Sequence, residues 1–185
     1  MIKRTESAVS PVVGVMLMLV VTIIIAAIVS AFSGGLVSGV NKPPQATISG
    51  KFSLSQGFTI TQSGGDTLAL QNTKFVIRDG PTFGNNIGQQ TADVLNKSLM
   101  QNTRTGNYVL SADGTTYYET AFIPGDNLFI SSANITCSSL QPVVNNYPNS
   151  TYCLNNSNNI GKSFYLEVSD TNGNMISKTE VPITP

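Results

Sequence analysis

Of the side chains that do chemistry in proteins, this sequence holds ten carboxylates, ten lysines and arginines, two cysteines and no histidine. The missing histidine removes the commonest general base and the commonest metal ligand together. Catalysis needs a nucleophile, a base and a charge stabiliser that converge, and the carboxylates and lysines are scattered with no spaced pair among them. No G-x-x-x-x-G-K-[ST] phosphate loop occurs. Asp170-Thr171-Asn172-Gly173-Asn174 has the spacing of the first half of a calcium loop. Position six is however Met175 rather than glycine, and position twelve is Val181 rather than glutamate, so the stretch is expected to be a hairpin turn. The residues therefore point away from an enzyme, and no cofactor or metal is expected.

Cys137 and Cys153 are the only cysteines. An intramolecular disulfide is the favoured reading; it would close a loop of about 17 residues and contribute about 3 kcal/mol by chain entropy. Two buried thiols are the alternative, and two thiolates fall short of the four ligands of a structural zinc site. Four N-x-[ST] sequons mark Asn96, Asn134, Asn149 and Asn155 as candidate N-glycosylation acceptors. Eighteen asparagines in a chain so rich in Ser and Thr give nearly that many sequons by chance, so their number carries no information. Tyr117, Tyr118, Tyr147 and Tyr152 offer aromatic surface for adhesion, although tyrosine in a strand more often packs half-buried.

These residues have to be positioned by something, and the chain divides plainly. No charge occurs between Glu6 and Lys42, and residues 8–32 are almost wholly apolar. A hydrocarbon core of about 30 Å needs roughly 20 apolar residues in a helix, which residues 11–32 supply. Apolar residues lie all the way round, a pattern tolerated only in lipid or at the centre of a helix bundle. Ser10-Pro11 offers an N-cap hydroxyl followed by proline at the first helical position, so the helix is expected to start near Ser10. Gly34-Gly35 and then Pro43-Pro44 place its end between 34 and 41. Lys3 and Arg4, opposed only by Glu6, leave residues 1–7 in the cytoplasm and send the rest outward. Small residues at Ala26, Ala27, Ser30, Ala31, Gly34 and Gly35 recur at small-xxx-small spacing, which lets helix backbones approach closely.

From Ala46 onward the hydrophobic period changes to two. Alternating runs at 46–54, 58–61, 74–78, 108–111, 115–122, 127–131, 164–169 and 174–183 predict short strands. Asp113-Gly114 and Asn172-Gly173 sit between such runs as hairpin turns. About eight strands at this spacing suggest an antiparallel sandwich, immunoglobulin-like in plan. Residues 134–159, rich in Asn, Ser and Pro, are expected to form a surface loop stapled by the cysteines, and 82–104 to hold a loop or a short helix. Charged residues are only 11% of the chain. By count, residues 42–185 hold eight basic and nine acidic side chains, so no nucleic-acid partner is expected. The fold class is thus α+β, a long hydrophobic helix followed by an all-β head.

The run Ala8-Val9-Ser10-Pro11-Val12-Val13-Gly14-Val15-Met16-Leu17-Met18, continued by Val20-Val21-Thr22-Ile23-Ile24-Ile25-Ala26-Ala27, resembles the N-terminal segment of archaeal type IV pilins. In the head, Phe58-Thr59-Ile60-Thr61, Gly64-Gly65-Asp66, Phe122-Ile123-Pro124-Gly125-Asp126 and Tyr165-Leu166-Glu167-Val168-Ser169-Asp170 resemble the β-domain of that family. The Asn-rich loop and the cysteine pair depart from it.

The resemblance implies a leader at 1–8, a filament-core helix at 9–40 and an extracellular head at 41–185. A prepilin-type signal peptidase would cut between Ala8 and Val9, or between Ser7 and Ala8. A pilus assembly ATPase and a membrane platform would then draw the subunit from the membrane into a helical homopolymer that serves adhesion at the archaeal cell surface. Packing would run through Pro11, Gly14, Ala26, Ala27, Ser30, Ala31 and Gly34. Exported archaeal surface proteins are often N-glycosylated, which favours glycans on Asn149 and Asn155. The rival readings are a single-pass anchored protein that never polymerises, and a secreted binding domain released after Ala31.

Overall fold

The computed structural model describes residues 11–37, 43–83, 92–135 and 153–185. The chain separates into two compact units, Met1–Lys42 and Pro43–Pro185. Among the described residues the first holds one helix, α1 (Pro11–Val37). Proline takes the first helical position, where its missing N–H costs no intrahelical bond. At 1.5 Å per residue, the 27 residues of α1 make a rod about 40 Å long. Thr22 donates its hydroxyl to the carbonyl of Leu19 at 2.8 Å, which satisfies this polar group inside the helix.

The second unit is β. Its strands among the described residues are β1 (Ala46–Ser53), β2 (Gly57–Gly65), β3 (Leu68–Ala69), β4 (Thr73–Arg78), β5 (Ala92–Val94), β6 (Gln101–Asn102), β7 (Ala121–Phe122), β8 (Asn127–Ser131), β9 (Ser163–Asp170) and β10 (Met175–Thr184). Eight join in one sheet of order β5-β4-β9-β10-β1-β2-β8-β6, and β3 pairs with β7 as a separate ribbon. Neighbours run antiparallel. The exception is β1 and β10, which run parallel and meet in two registers, Phe52 opposite Ile183 and Ser53 opposite Thr184. The sheet is therefore two antiparallel quartets joined at one corner.

Aromatic packing shows that the quartets fold onto each other. Phe164 on β9 and Phe58 on β2 are three strands apart, which on a flat sheet is about 14 Å. Their ring centroids are 5.7 Å apart, and Phe52 on β1 lies 6.0 Å from Phe58 and 5.7 Å from Phe164. All three pairs meet edge to face, the arrangement that the ring quadrupoles favour. The β3–β7 ribbon adds Leu68 and Phe122 to the same core, and the 3₁₀ turn after β3 (Leu70–Asn72) adds Leu70; Phe122 packs 6.2 Å from Phe75 of β4.

The α+β layout is thus the one expected, with the strands at 46–54, 58–61, 74–78, 127–131, 164–169 and 174–183 in place within a residue or a few. The Asn172-Gly173 hairpin is present: Gly173 sits at φ +89°, and Asp170 accepts both the N–H and the side-chain amide of Asn174 at 2.8 Å. The run at 108–111 does not become a strand, and only the last two residues of 115–122 do, as β7. Elsewhere these runs make isolated bridges, Gln101 with Tyr108 and Leu110 with Tyr117. Between them the Ser111 hydroxyl accepts the N–H groups of Thr115 and Thr116 at 3.2 and 2.9 Å, so side chains take backbone groups that a ladder would use. Within 82–104 the chain holds β5, a 3₁₀ turn (Lys97–Leu99) and β6.

Candidate assembly helix and head surface

Pro11–Phe32 is long and apolar enough to cross a membrane. Every side chain from 11 to 32 is exposed in the single chain, Met18 by 73% and Phe32 by 69%. Leaving such side chains in water forgoes about 1.5–3 kcal/mol each. The helix has no acidic residue in its first turn and no basic residue in its last. Ala26 and Ser30 stand one turn apart, as do Ala27 and Ala31, so each pair shares a face. Gly34 lies one further turn along α1, and Pro11 opens it. A methyl group built on Gly14 would meet nothing within 4 Å. The cleavage residues Ser7, Ala8 and Val9 lie outside the described residues.

On the head, two ion clusters stand out. Glu167 on β9 accepts from Arg78 on β4 and from Lys178 on β10, the latter at 2.9 Å. Burial would raise the Glu167 carboxyl, but the hydrogen bonds from Lys178 and Arg78 outweigh it and hold the group below its ordinary range. Lys178 also lies 4.4 Å from the ring centroid of Tyr165. In the second cluster Asp126 is held low chiefly by Arg104, with Asn102 and the Ile123 N–H adding to it. Sequence reasoning passed over both clusters. Register gives the signal for the first, since Glu167 stands opposite Val76 and Lys178 across neighbouring strands. Nothing in the spacing of Arg104 and Asp126 announces the second. Among the described residues no three His, Cys, Asp or Glu side chains converge.

Cys153 is buried and is not a free thiol; Cys137 lies outside the described residues, as does Asn149. Asn96 is exposed between β5 and β6, Asn134 is half-buried at the end of a 3₁₀ turn (Ser132–Asn134), and Asn155 is exposed. Tyr117 is half-buried with its hydroxyl 3.2 Å from Lys97 Nζ, whereas Tyr118 is 59% exposed. Tyr147 and Tyr152 lie outside the described residues.

The structure thus gathers the proposed packing residues of α1 on one uncharged rod and leaves the head residues dispersed. Residues 7–48 match the family model described as archaeal type IV pilin, N-terminal. No curated protein and no solved structure matches the chain. The matched segment takes in all of α1 and reaches into β1. In its N-terminal segment, this chain is similar to the archaeal type IV pilins.

Proposed function

We propose that the chain is a structural subunit of an archaeal type IV pilus, that it is not an enzyme, and that it polymerises through α1 into an extracellular filament used for attachment. The observation that carries this is α1 itself, which is uncharged, apolar on every side and exposed at every described side chain. Such a surface is stable first in lipid and later against copies of itself, where close approach at small residues replaces a hydrophobic drive. Gly14 supports the reading, because among the described residues nothing lies within 4 Å of a methyl group built there. The residues that would pack between subunits are Pro11, Gly14, Ala26, Ala27, Ser30, Ala31 and Gly34. A prepilin-type signal peptidase removes the leader at Ala8/Val9 or Ser7/Ala8, and an assembly ATPase with its membrane platform inserts the subunit. In the exported head Cys153 pairs with Cys137, the only other cysteine.

The N-terminal residue of material sheared from the cell surface tests this. A start at Val9 or Ala8 in a filament fraction is the expected result. A start at Met1, found only in membranes, means an anchored protein, and a start at Phe32 means a secreted domain; either overturns the proposal.

A further inference from the structure

The sequon Asn96-Lys97-Ser98 forms the turn between β5 and β6, and its three side chains have different tasks. Lys97 reaches inward: its Nζ donates to the Leu70 carbonyl at 2.6 Å and lies 3.2 Å from the Tyr117 hydroxyl. The turn is therefore held to the head by its middle residue. Asn96 caps the turn, its Oδ1 accepting the Ser98 N–H at 3.0 Å and the Ser98 hydroxyl at 2.8 Å. A carboxamide is planar, so an oxygen committed to Ser98 turns the NH₂ group the other way. Asn96 is exposed, and its Nδ2 has no hydrogen-bond partner among the described residues. Two hydrogen bonds to the amide oxygen also draw electron density from the group and make its N–H protons easier to remove.

The other described sequons differ. Asn134 is half-buried and followed by Ile135, which is 3% exposed. After Asn155 the next 3₁₀ turn is capped by its neighbour, Asn156, whose Oδ1 takes the Asn158 N–H at 2.9 Å. We propose that Asn96 is an N-glycosylation site, modified by a transferase that uses a glycan carried on a membrane lipid phosphate. Nδ2 attacks the anomeric carbon of the glycan. The C1–N bond forms as the C1–O bond to phosphate breaks, the lipid phosphate leaves with the bonding pair, and one Nδ2 proton passes to a base of the transferase. No electron is gained or lost. The proposal rests on the reading that the head is exported, where such donors and transferases meet it.

The test is peptide mass mapping of the full chain from its native host, in the sheared filament fraction and in membranes. Peptides containing Asn96 are expected to carry added glycan mass. The mass is lost in Asn96→Asp, which keeps the capping oxygen, and in Ser98→Ala, and it is retained in Ser98→Thr. Unmodified Asn96 in sheared filaments overturns the glycan and leaves the pilin reading standing. A chain that carries the mass but never enters filaments overturns the pilin reading and leaves the glycan. A chain that is unmodified and confined to membranes overturns both.

Discussion

Asp126 is 1% exposed, and Arg104, whose own side chain is 55% exposed, grips it with one edge of the guanidinium: Nε lies 2.5 Å from one carboxylate oxygen and Nη2 3.2 Å from the other. The pair ties the loop after β6 to the turn before β8. Removing one partner of such a pair costs more than the pair contributes, because the other charge is left buried. Arg104→Ala is therefore expected to lower the thermal midpoint of the detergent-solubilised chain by more than Asp126→Asn does, since the latter leaves no buried charge behind. Equal midpoints in the two variants would contradict this.

Stability should fall in acid. Glu167 and Asp126 both ionise below their ordinary ranges in the folded head. A carboxylate depressed in this way stabilises the fold above its unfolded pKa, about 4 for Asp and Glu. That stability disappears as pH drops through the lower, folded value. Melting curves between neutral pH and pH 2 should show the loss beginning below about pH 5. In Glu167→Gln the curve should be flatter; a slope as steep as that of the native chain would mean that other groups carry it.

Core packing gives a sharper test at Gly50 on β1. A methyl group there would lie 2.7 Å from Val181 Cγ2 and 3.1 Å from Phe58 Cε2. Gly50→Ala is expected to cost about 1–3 kcal/mol by overpacking, and Val181→Ala in the same chain should recover part of it, a coupling that a double-mutant cycle measures. Phe164→Ala, which opens a hole beside the rings of Phe52 and Phe58, should cost about 3–5 kcal/mol in denaturant titrations.

Charge in α1 should act on assembly and leave the head folded. An aspartate at the centre of a membrane helix costs about 2.5–3.5 kcal/mol on insertion scales. The same charge would face apolar neighbours in a filament. Val20→Asp and Ile24→Asp are expected to abolish filaments in electron micrographs of sheared material, and normal filaments from either variant would sink the packing argument.

What the sequence made legible follows from signal length. α1 carries 27 uncharged, mostly apolar residues from Pro11 to Val37; its class and start could be read directly, and its end falls inside the expected range of 34–41. The long strands β1, β9 and β10 alternate over eight residues or more and were equally plain. β3 and β6 have two residues each, too few to show a period of two. The parallel meeting of β1 and β10 leaves no local trace, because it depends on Phe52 and Ile183 arriving from distant parts of the chain. For the same reason the Asn96 amide was not preferred among the sequons: what distinguishes it is the inward anchor of Lys97, and Leu70 and Tyr117 are remote in sequence.

The corner where β1 meets β10 also has a consequence in time. Thr184 donates its hydroxyl to the Phe52 carbonyl at 2.6 Å across a separation of 132 residues, beside the two ladder registers. Contacts between such distant positions pay their loop-closure entropy before they return any stabilisation, and they slow folding. β1 must wait with one edge unpaired until β10 leaves the ribosome or a translocation pore. The speed at which the head matures is therefore set by the arrival of β10 (Met175–Thr184), and substitutions at this corner should be sought in refolding rates before they are sought in melting temperatures.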